Sequence, residues 1–276
     1  MKHYSYYSIS RGAFTGFKTR YNIILIVVAV FLLVVGCGSI ESKKYQSRVR
    51  AVKKIKDQST LYKIAINDNN YFVKYEAMLN LKEDLLQEVC FNAVEPKASL
   101  MATKFINDQT RLIRITEDNK FWEARRSAFN KLKQESIESL LNKSDKEEVK
   151  AAIRIRLGKL TWNDLLIQSD GSKSSLDMLV GAVALVDAPI PPAELVVSLC
   201  HKYIRLGDIS RIPELKFLLL NFGNKSLAED YLNCGQSELR ETGIQWGRQH
   251  GYPNVVTGNK GSNRVRWGES KKDTRR

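Results

Sequence analysis

The segment Ala51-Val52-Lys53-Lys54-Ile55-Lys56-Asp57-Gln58-Ser59-Thr60-Leu61 returns 51 residues later as Ala102-Thr103-Lys104-Phe105-Ile106-Asn107-Asp108-Gln109-Thr110-Arg111-Leu112. Ala51, Ile55, Asp57, Gln58, Leu61 and Ile64 coincide with Ala102, Ile106, Asp108, Gln109, Leu112 and Ile115. A copy lies between them, in Val73-Lys74-Tyr75-Glu76-Ala77 followed by Leu81, Asp84, Leu86 and Val89. Another follows in Ala124-Arg125-Arg126-Ser127-Ala128, with Leu132, Gln134, Ile137 and Leu141, and a weaker one opens at Val149-Lys150-Ala151-Ala152. Starts near Ser47, Val73, Ala98, Ala124 and Val149 set a period of 25–26 residues. A period of that length means one supersecondary unit repeated, stacked on copies of itself.

Each unit predicts two short helices. The first carries an apolar residue, a small Ala four positions on and Ile or Leu four further, all on one face. Ala at the middle position lets neighbouring helices approach closely. A polar Asp-Gln turn follows, with Asp suited to cap the next helix. The second helix supplies Leu61-x-x-Ile64, Leu86-x-x-Val89, Leu112-x-x-Ile115 or Ile137-x-x-x-Leu141, and ends in polar stretches such as Asn67-Asp68-Asn69-Asn70 or Glu117-Asp118-Asn119. One such pair cannot bury both apolar faces, so stacking is the expected solution.

Val73-Lys74 with Ala77, and Leu61-Tyr62-Lys63-Ile64-Ala65, resemble the short bacterial variant of HEAT-like repeats, over about residues 47–168. The resemblance implies an all-α solenoid of helical hairpins that offers a curved surface to another macromolecule. If the inner face is built from second helices, Lys63, Arg111 and Arg114 are the candidate partner-binding residues, and an acidic partner suits them.

The N-terminus carries an address. Residues 1–22 hold Lys2, Arg11, Lys18 and Arg20 and no acid, and thirteen uninterrupted apolar residues follow, Ile23 to Val35. Thirteen is the length of a signal-peptide core, whereas about 20 suit a membrane-spanning helix. The run ends in Val34-Val35-Gly36-Cys37, which resembles the bacterial lipobox. That resemblance implies acylation of Cys37 on sulfur, cleavage before it, and residues 1–37 as a lipoprotein signal peptide. The alternative is an uncleaved signal anchor, for which the charge-free stretch from Ile23 to Ile40 is long enough. Both alternatives tether the chain to the membrane and, with the basic end held in the cytoplasm, put the body on the periplasmic or extracellular side of the cell envelope.

Beyond the repeats, Ser169-Asp170-Gly171-Ser172 reads as a loop, and Asp187-Ala-Pro-Ile-Pro-Pro192 as a break. Longer helices are expected over about Ala193–Leu206, Pro213–Asn221, Ser226–Asn233 and Ser237–Gln249, forming a C-terminal helical cap over residues 187–252. The segment from Asn221 to Tyr252 is similar to a C-terminal segment of bacterial HEAT-like proteins. Residues 253–276 form a basic, glycine-rich tail. It is not a phosphate-binding loop, because the Gly-Lys-Ser/Thr order and a following helix are missing. Trp267, directly after Arg266, is expected to pack the tail back on the body.

The formal charge of +14 collects mostly at the two ends. A basic tail leaves open a second reading, a binder of anionic lipid or nucleic acid, although an exported location speaks against nucleic acid. Cys200-His201, Cys234 and His250 are the one grouping with metal or nucleophile chemistry, and no Cys-x-x-Cys or His-Glu-x-x-His spacing supports it. Cys90, Cys200 and Cys234 sit in apolar helical settings, as small core residues do. The expected role is therefore non-catalytic: a tethered scaffold, without cofactor or metal, for an envelope protein that the sequence does not identify.

Overall fold

The computed structural model describes residues 40–207, 209–252, 255–257 and 264–268. The signal or anchor segment, with its apolar run and Cys37, lies outside the described residues. The chain is all-α, and it divides into two compact units at Asn80–Leu81.

The first unit holds α1 (Tyr45–Val52), α2 (Gln58–Asn67) and α3 (Tyr71–Leu79). Asp57 caps α2 by accepting a hydrogen bond from the Thr60 N–H at 2.7 Å, as the Asp-Gln turn predicts. Leu61, Ile64 and Ala65 of α2 and Val73, Ala77 and Met78 of α3 are buried where the two helices meet. Arg48 of α1 grips the Asp68 carboxylate with two donors, at 2.9 and 3.0 Å.

The second unit continues the alternation with α4 (Glu83–Asn92), α5 (Pro96–Phe105), α6 (Gln109–Asp118), α7 (Trp122–Lys131), α8 (Gln134–Lys143) and α9 (Glu147–Arg156). First helices thus begin at Tyr45, Tyr71, Pro96, Trp122 and Glu147, and second helices at Gln58, Glu83, Gln109 and Gln134. Every interval is 25 or 26 residues. The alanines at the middle position of the first four units, Ala51, Ala77, Ala102 and Ala128, are all buried, and Ile153, which holds that position in the fifth, is buried as well. Within this unit α4 neighbours α6, α6 neighbours α8 and α5 neighbours α7, so like helices lie side by side. One register differs from expectation. In α8 it is Leu140, not Leu141, that is buried with Ile137, which restores the spacing of three seen in the other second helices.

After α9 and the short α10 (Trp162–Ile167) comes α11 (Lys173–Leu185), a helix that the sequence reading did not assign. From Leu179 to Leu185 every residue is buried. A helix apolar all round has no amphipathic period to betray it. It packs on both α7 and α9, and its Gly181 permits a close approach, since a Cβ there would stand 2.9 Å from Cβ of Glu148. The remaining helices are α12 (Ala193–Arg205), α13 (Ile212–Phe222), α14 (Lys225–Asn233) and α15 (Ser237–Gln249), within a residue or two of the expected bounds.

The tail is not featureless. Strands β1 (Val255–Thr257) and β2 (Val265–Trp267) pair antiparallel, with Val255 opposite Trp267. Trp267 is buried against Gly247 of α15 and near Tyr252, so this aromatic does tie the tail to the body.

Candidate functional site

Arg111 and Arg114 lie one turn apart on α6, and both reach back to α4. Arg111 donates to Oε1 of Gln87 at 2.9 Å, and the Arg114 guanidinium sits 5.2 Å from the centroid of the Phe91 ring. Lys63 is exposed on α2, in the other compact unit. The structure therefore brings two of the three predicted partner-binding residues together. Their surroundings are mixed in charge, with Asp84 and Glu88 exposed on α4 and Asp118 on α6. A shallow groove of about 400 Å³ runs between α6 and α8, lined among others by Ile113, Glu117, Glu135, Ser139 and Lys143.

What these helices share is a polar ladder with the period of the repeat. Glu83, at the start of α4, accepts hydrogen bonds from the N–H groups of Asn107 at 3.2 Å and Asp108 at 3.0 Å, just ahead of α6. Gln109, 26 positions on, accepts one from the N–H of Lys133 at 2.8 Å, ahead of α8. Lys131, at the end of α7, donates to the carbonyls of Thr103, Lys104 and Ile106 at the end of α5. Arg156, 25 positions on at the end of α9, does the same to Phe129 and Leu132 at the end of α7. These cations satisfy carbonyls that a helix end leaves open and face the negative end of its dipole. Burial lowers the pKa of both.

A second polar group lies where α7, α9, α11 and α13 come together. Arg125 donates to the Thr116 carbonyl at 2.7 Å and to Oε1 of Glu148 at 3.0 Å. Arg211 stands 3.7 Å from the same Glu148 oxygen, 3.8 Å from Asp177 and 3.4 Å from Glu214. Asp177 also accepts from the Tyr203 hydroxyl and from Ser210 at 3.0 Å. Burial alone would raise the Glu148 pKa, but the Arg125 hydrogen bond and the charges of Arg125 and Arg211 outweigh it and hold the carboxyl below its ordinary value. Glu148 is thus a fixed anion between two fixed cations. That arrangement joins helices.

Within the sequence grouping of Cys200, His201, Cys234 and His250, the two histidines take different partners. His201 Nδ1 lies 2.5 Å from Oδ2 of Asp230, whose other oxygen is held by Arg264 of the tail. His250 instead turns to the Trp246 carbonyl at 2.8 Å and stacks on the Trp246 ring. A cleft of about 550 Å³ is lined by Ile204, Arg205, Asp230, Asn233, Cys234 and Arg264. Its thiol, Cys234, donates to the Tyr231 carbonyl at 3.2 Å, and burial raises its pKa. Burial pushes Cys90 and Cys200 up to about 12. Thiols held protonated are poor nucleophiles and poor metal ligands. All three are free, and among the described residues no group of three or more His, Cys, Asp or Glu could hold a metal ion. The tail is fastened beside this cleft: the Asn233 side-chain amide exchanges two hydrogen bonds with the Val265 backbone, at 2.7 and 2.8 Å.

Compared with protein-family models, curated proteins and solved structures, the chain matches none.

The Arg125–Glu148–Arg211 cluster escaped the sequence reading, yet a signal for part of it was present. The residue after the opening apolar position of successive first helices is Lys74, Ser99 and Arg125, polar each time and buried each time. A polar residue recurring at a core register marks a buried partner.

Proposed function

We propose that this chain is a membrane-tethered, non-catalytic scaffold: an α-solenoid of short HEAT-like hairpins that holds a partner protein at the cell envelope. The observation that carries the reading is the unbroken 25–26-residue succession of helices, with its like-on-like neighbours and a polar ladder in the same register. Repeated hairpins extend a surface without closing a cavity, and such surfaces serve recognition. The exposed face of α6, with Arg114 and the neighbouring groove, is the candidate contact, together with Lys63 in the first unit. Arg111 contributes by fixing α6 to α4.

Tethering is assigned to the N-terminal segment, through acylated Cys37 after export. A second reading rests on charge. If the apolar run is not cleaved, residues 41–56 carry seven Lys or Arg against four in residues 1–22. For an uncleaved anchor that bias outweighs the four cations of the N-terminus and reverses the orientation expected from them alone, leaving the body on the cytoplasmic side.

The partner reading is tested by photo-crosslinking in the expressing cell from a benzoyl-phenylalanine at position 113. A discrete crosslinked protein, lost with Arg114→Glu but retained with Lys202→Glu, is the expected result. Crosslinks absent from both the parent and every variant, with the chain folded and at the membrane, would remove it.

A further inference from the structure

The first unit presents a face unlike the rest of its surface. Phe72, Tyr75 and Leu79 stand at positions i, i+3 and i+7 of α3, within one narrow arc of the helix. All three are exposed, Phe72 at 66% and Leu79 at 49%. Exposed Tyr45 of α1 stacks on Phe72 with ring centroids 5.8 Å apart, and Ile40 just ahead of α1 is exposed as well. Tyr45, Phe72, Tyr75 and Leu79 together are more than scattered exposure explains.

The same unit is strongly basic. Residues 40–80 hold nine Lys or Arg against four Asp or Glu, whereas residues 81–185 are close to balanced, with seventeen against sixteen. Lys43, Lys44, Arg50, Lys53 and Lys54 are exposed on or beside α1. Aromatic and aliphatic side chains flanked by lysine and arginine suit an anionic lipid surface. The rings sit among the headgroups, the aliphatic groups reach the acyl boundary, and the cations meet phosphates. The position of the face in the chain argues for the same occupant. Tyr45, the first residue of α1, follows Cys37 by eight residues, a reach of at most about 29 Å even fully extended.

We infer that the α1–α3 face of the first unit, centred on Phe72 and Leu79 and flanked by Lys43 and Lys44 just ahead of Tyr45, seats itself on an anionic phospholipid bilayer. The inference rests on the membrane tether of the proposed function but not on its sidedness, since it needs only anionic headgroups beside the anchor. It adds a second point of attachment beside the tether and fixes which face of the unit meets the membrane.

The test uses the full chain carrying Phe72→Trp, mixed with vesicles of equal parts phosphatidylglycerol and phosphatidylcholine, brominated on their acyl chains. The parent chain, with its four native tryptophans, sets the baseline, and far-UV circular dichroism checks the fold of the variant. A parallel Leu79→Trp variant keeps the Tyr45–Phe72 stack intact. Expected is co-flotation, quenching of about half of the added Trp emission by brominated lipid, and protection from aqueous acrylamide, as interfacial burial requires. The quenching should weaken severalfold on vesicles of phosphatidylcholine alone, or when Lys43→Glu and Lys44→Glu are added. Co-flotation with both added tryptophans open to acrylamide and untouched by bromine would overturn the inference while leaving the tether standing. A chain that does not float at all would overturn the tether, and the inference with it.

Discussion

Replacing Glu148 by Gln probes the cluster that links the repeats to the C-terminal helices. The carboxylate lies 3.0 Å from Arg125 and 3.7 Å from Arg211, and the three side chains are only 11–20% exposed. Stranding a charge by breaking so buried a pair costs about 3–5 kcal/mol. Here the strand is partial. Arg211 keeps Glu214 at 3.4 Å and Asp177 at 3.8 Å, and Arg125 keeps the Thr116 carbonyl at 2.7 Å. The expected loss at neutral pH is therefore at the low end, about 2–3 kcal/mol, or roughly 4–12 °C in melting temperature for a chain of this size. The folded-state pKa of Glu148 is depressed, so its contribution is full above the unfolded value of about 4.5 and fades as pH falls through the lower folded value. Urea unfolding followed by circular dichroism at pH 7 and again near pH 3 reads both effects. The gap between parent and Glu148→Gln should be widest at pH 7 and shrink on acidification. Equal midpoints at pH 7, or a gap that widens in acid, would refute the assignment of Glu148 as a buried anion. An Arg125→Met, Glu148→Met double variant should lose less than the two single changes together, because neither charge is left alone.

Ala77→Leu and Ala128→Leu each insert a side chain where helices touch with no space to spare, and should cost about 1–3 kcal/mol in urea unfolding. Unchanged midpoints in both would break the stacked-repeat account. Gly247→Ala places a Cβ 2.4 Å from the Trp267 ring, so it should release the tail, shift Trp267 emission to the red and speed tryptic cleavage at Arg264 and Arg266. The melting transition of the helices should move little, since the displaced part is a two-stranded hairpin. Cys90 and Cys200 should resist alkylation at pH 8 until the chain is unfolded, because both are buried and hold their protons to about 12. Labelling of either in the native protein, read by peptide mass, would contradict the packing described.

The repeat was legible because its signal is carried by residue types that the packing itself demands. Alanine recurs at the point of closest approach, from Ala51 to Ala128, and Asp57 and Asp108 cap the helices that follow them. Where the sequence is apolar all round the same logic fails, and α11 was missed for that reason. The short strands β1 and β2 escaped for another. Three residues each, they depend on β2 being held by Asn233 and Glu229 of α14, with Asp230 gripping Arg264 just ahead of it, and that support is tertiary. Glu148 beside Glu147 reads as an ordinary acid in a first helical turn. Only the arrival of Arg125 and of Arg211, 63 positions on, gives it a partner on each side. The exposed face of α3 was hidden in a similar way. Tyr71-Phe72-Val73 is a continuous apolar run, and nothing in the run itself tells that Val73 is buried and Phe72 is not.

The tether on which the proposed function and the lipid-facing surface both depend is open to a direct experiment. The full-length chain and a Cys37→Ser variant are expressed side by side, fractionated into soluble and membrane pools, and weighed intact. The account predicts a membrane-bound species that begins at Cys37 and carries the added mass of acyl chains, with both the cleavage and the added mass absent from the variant. A full-length species of unmodified mass in the soluble pool, for parent and variant alike, would contradict it.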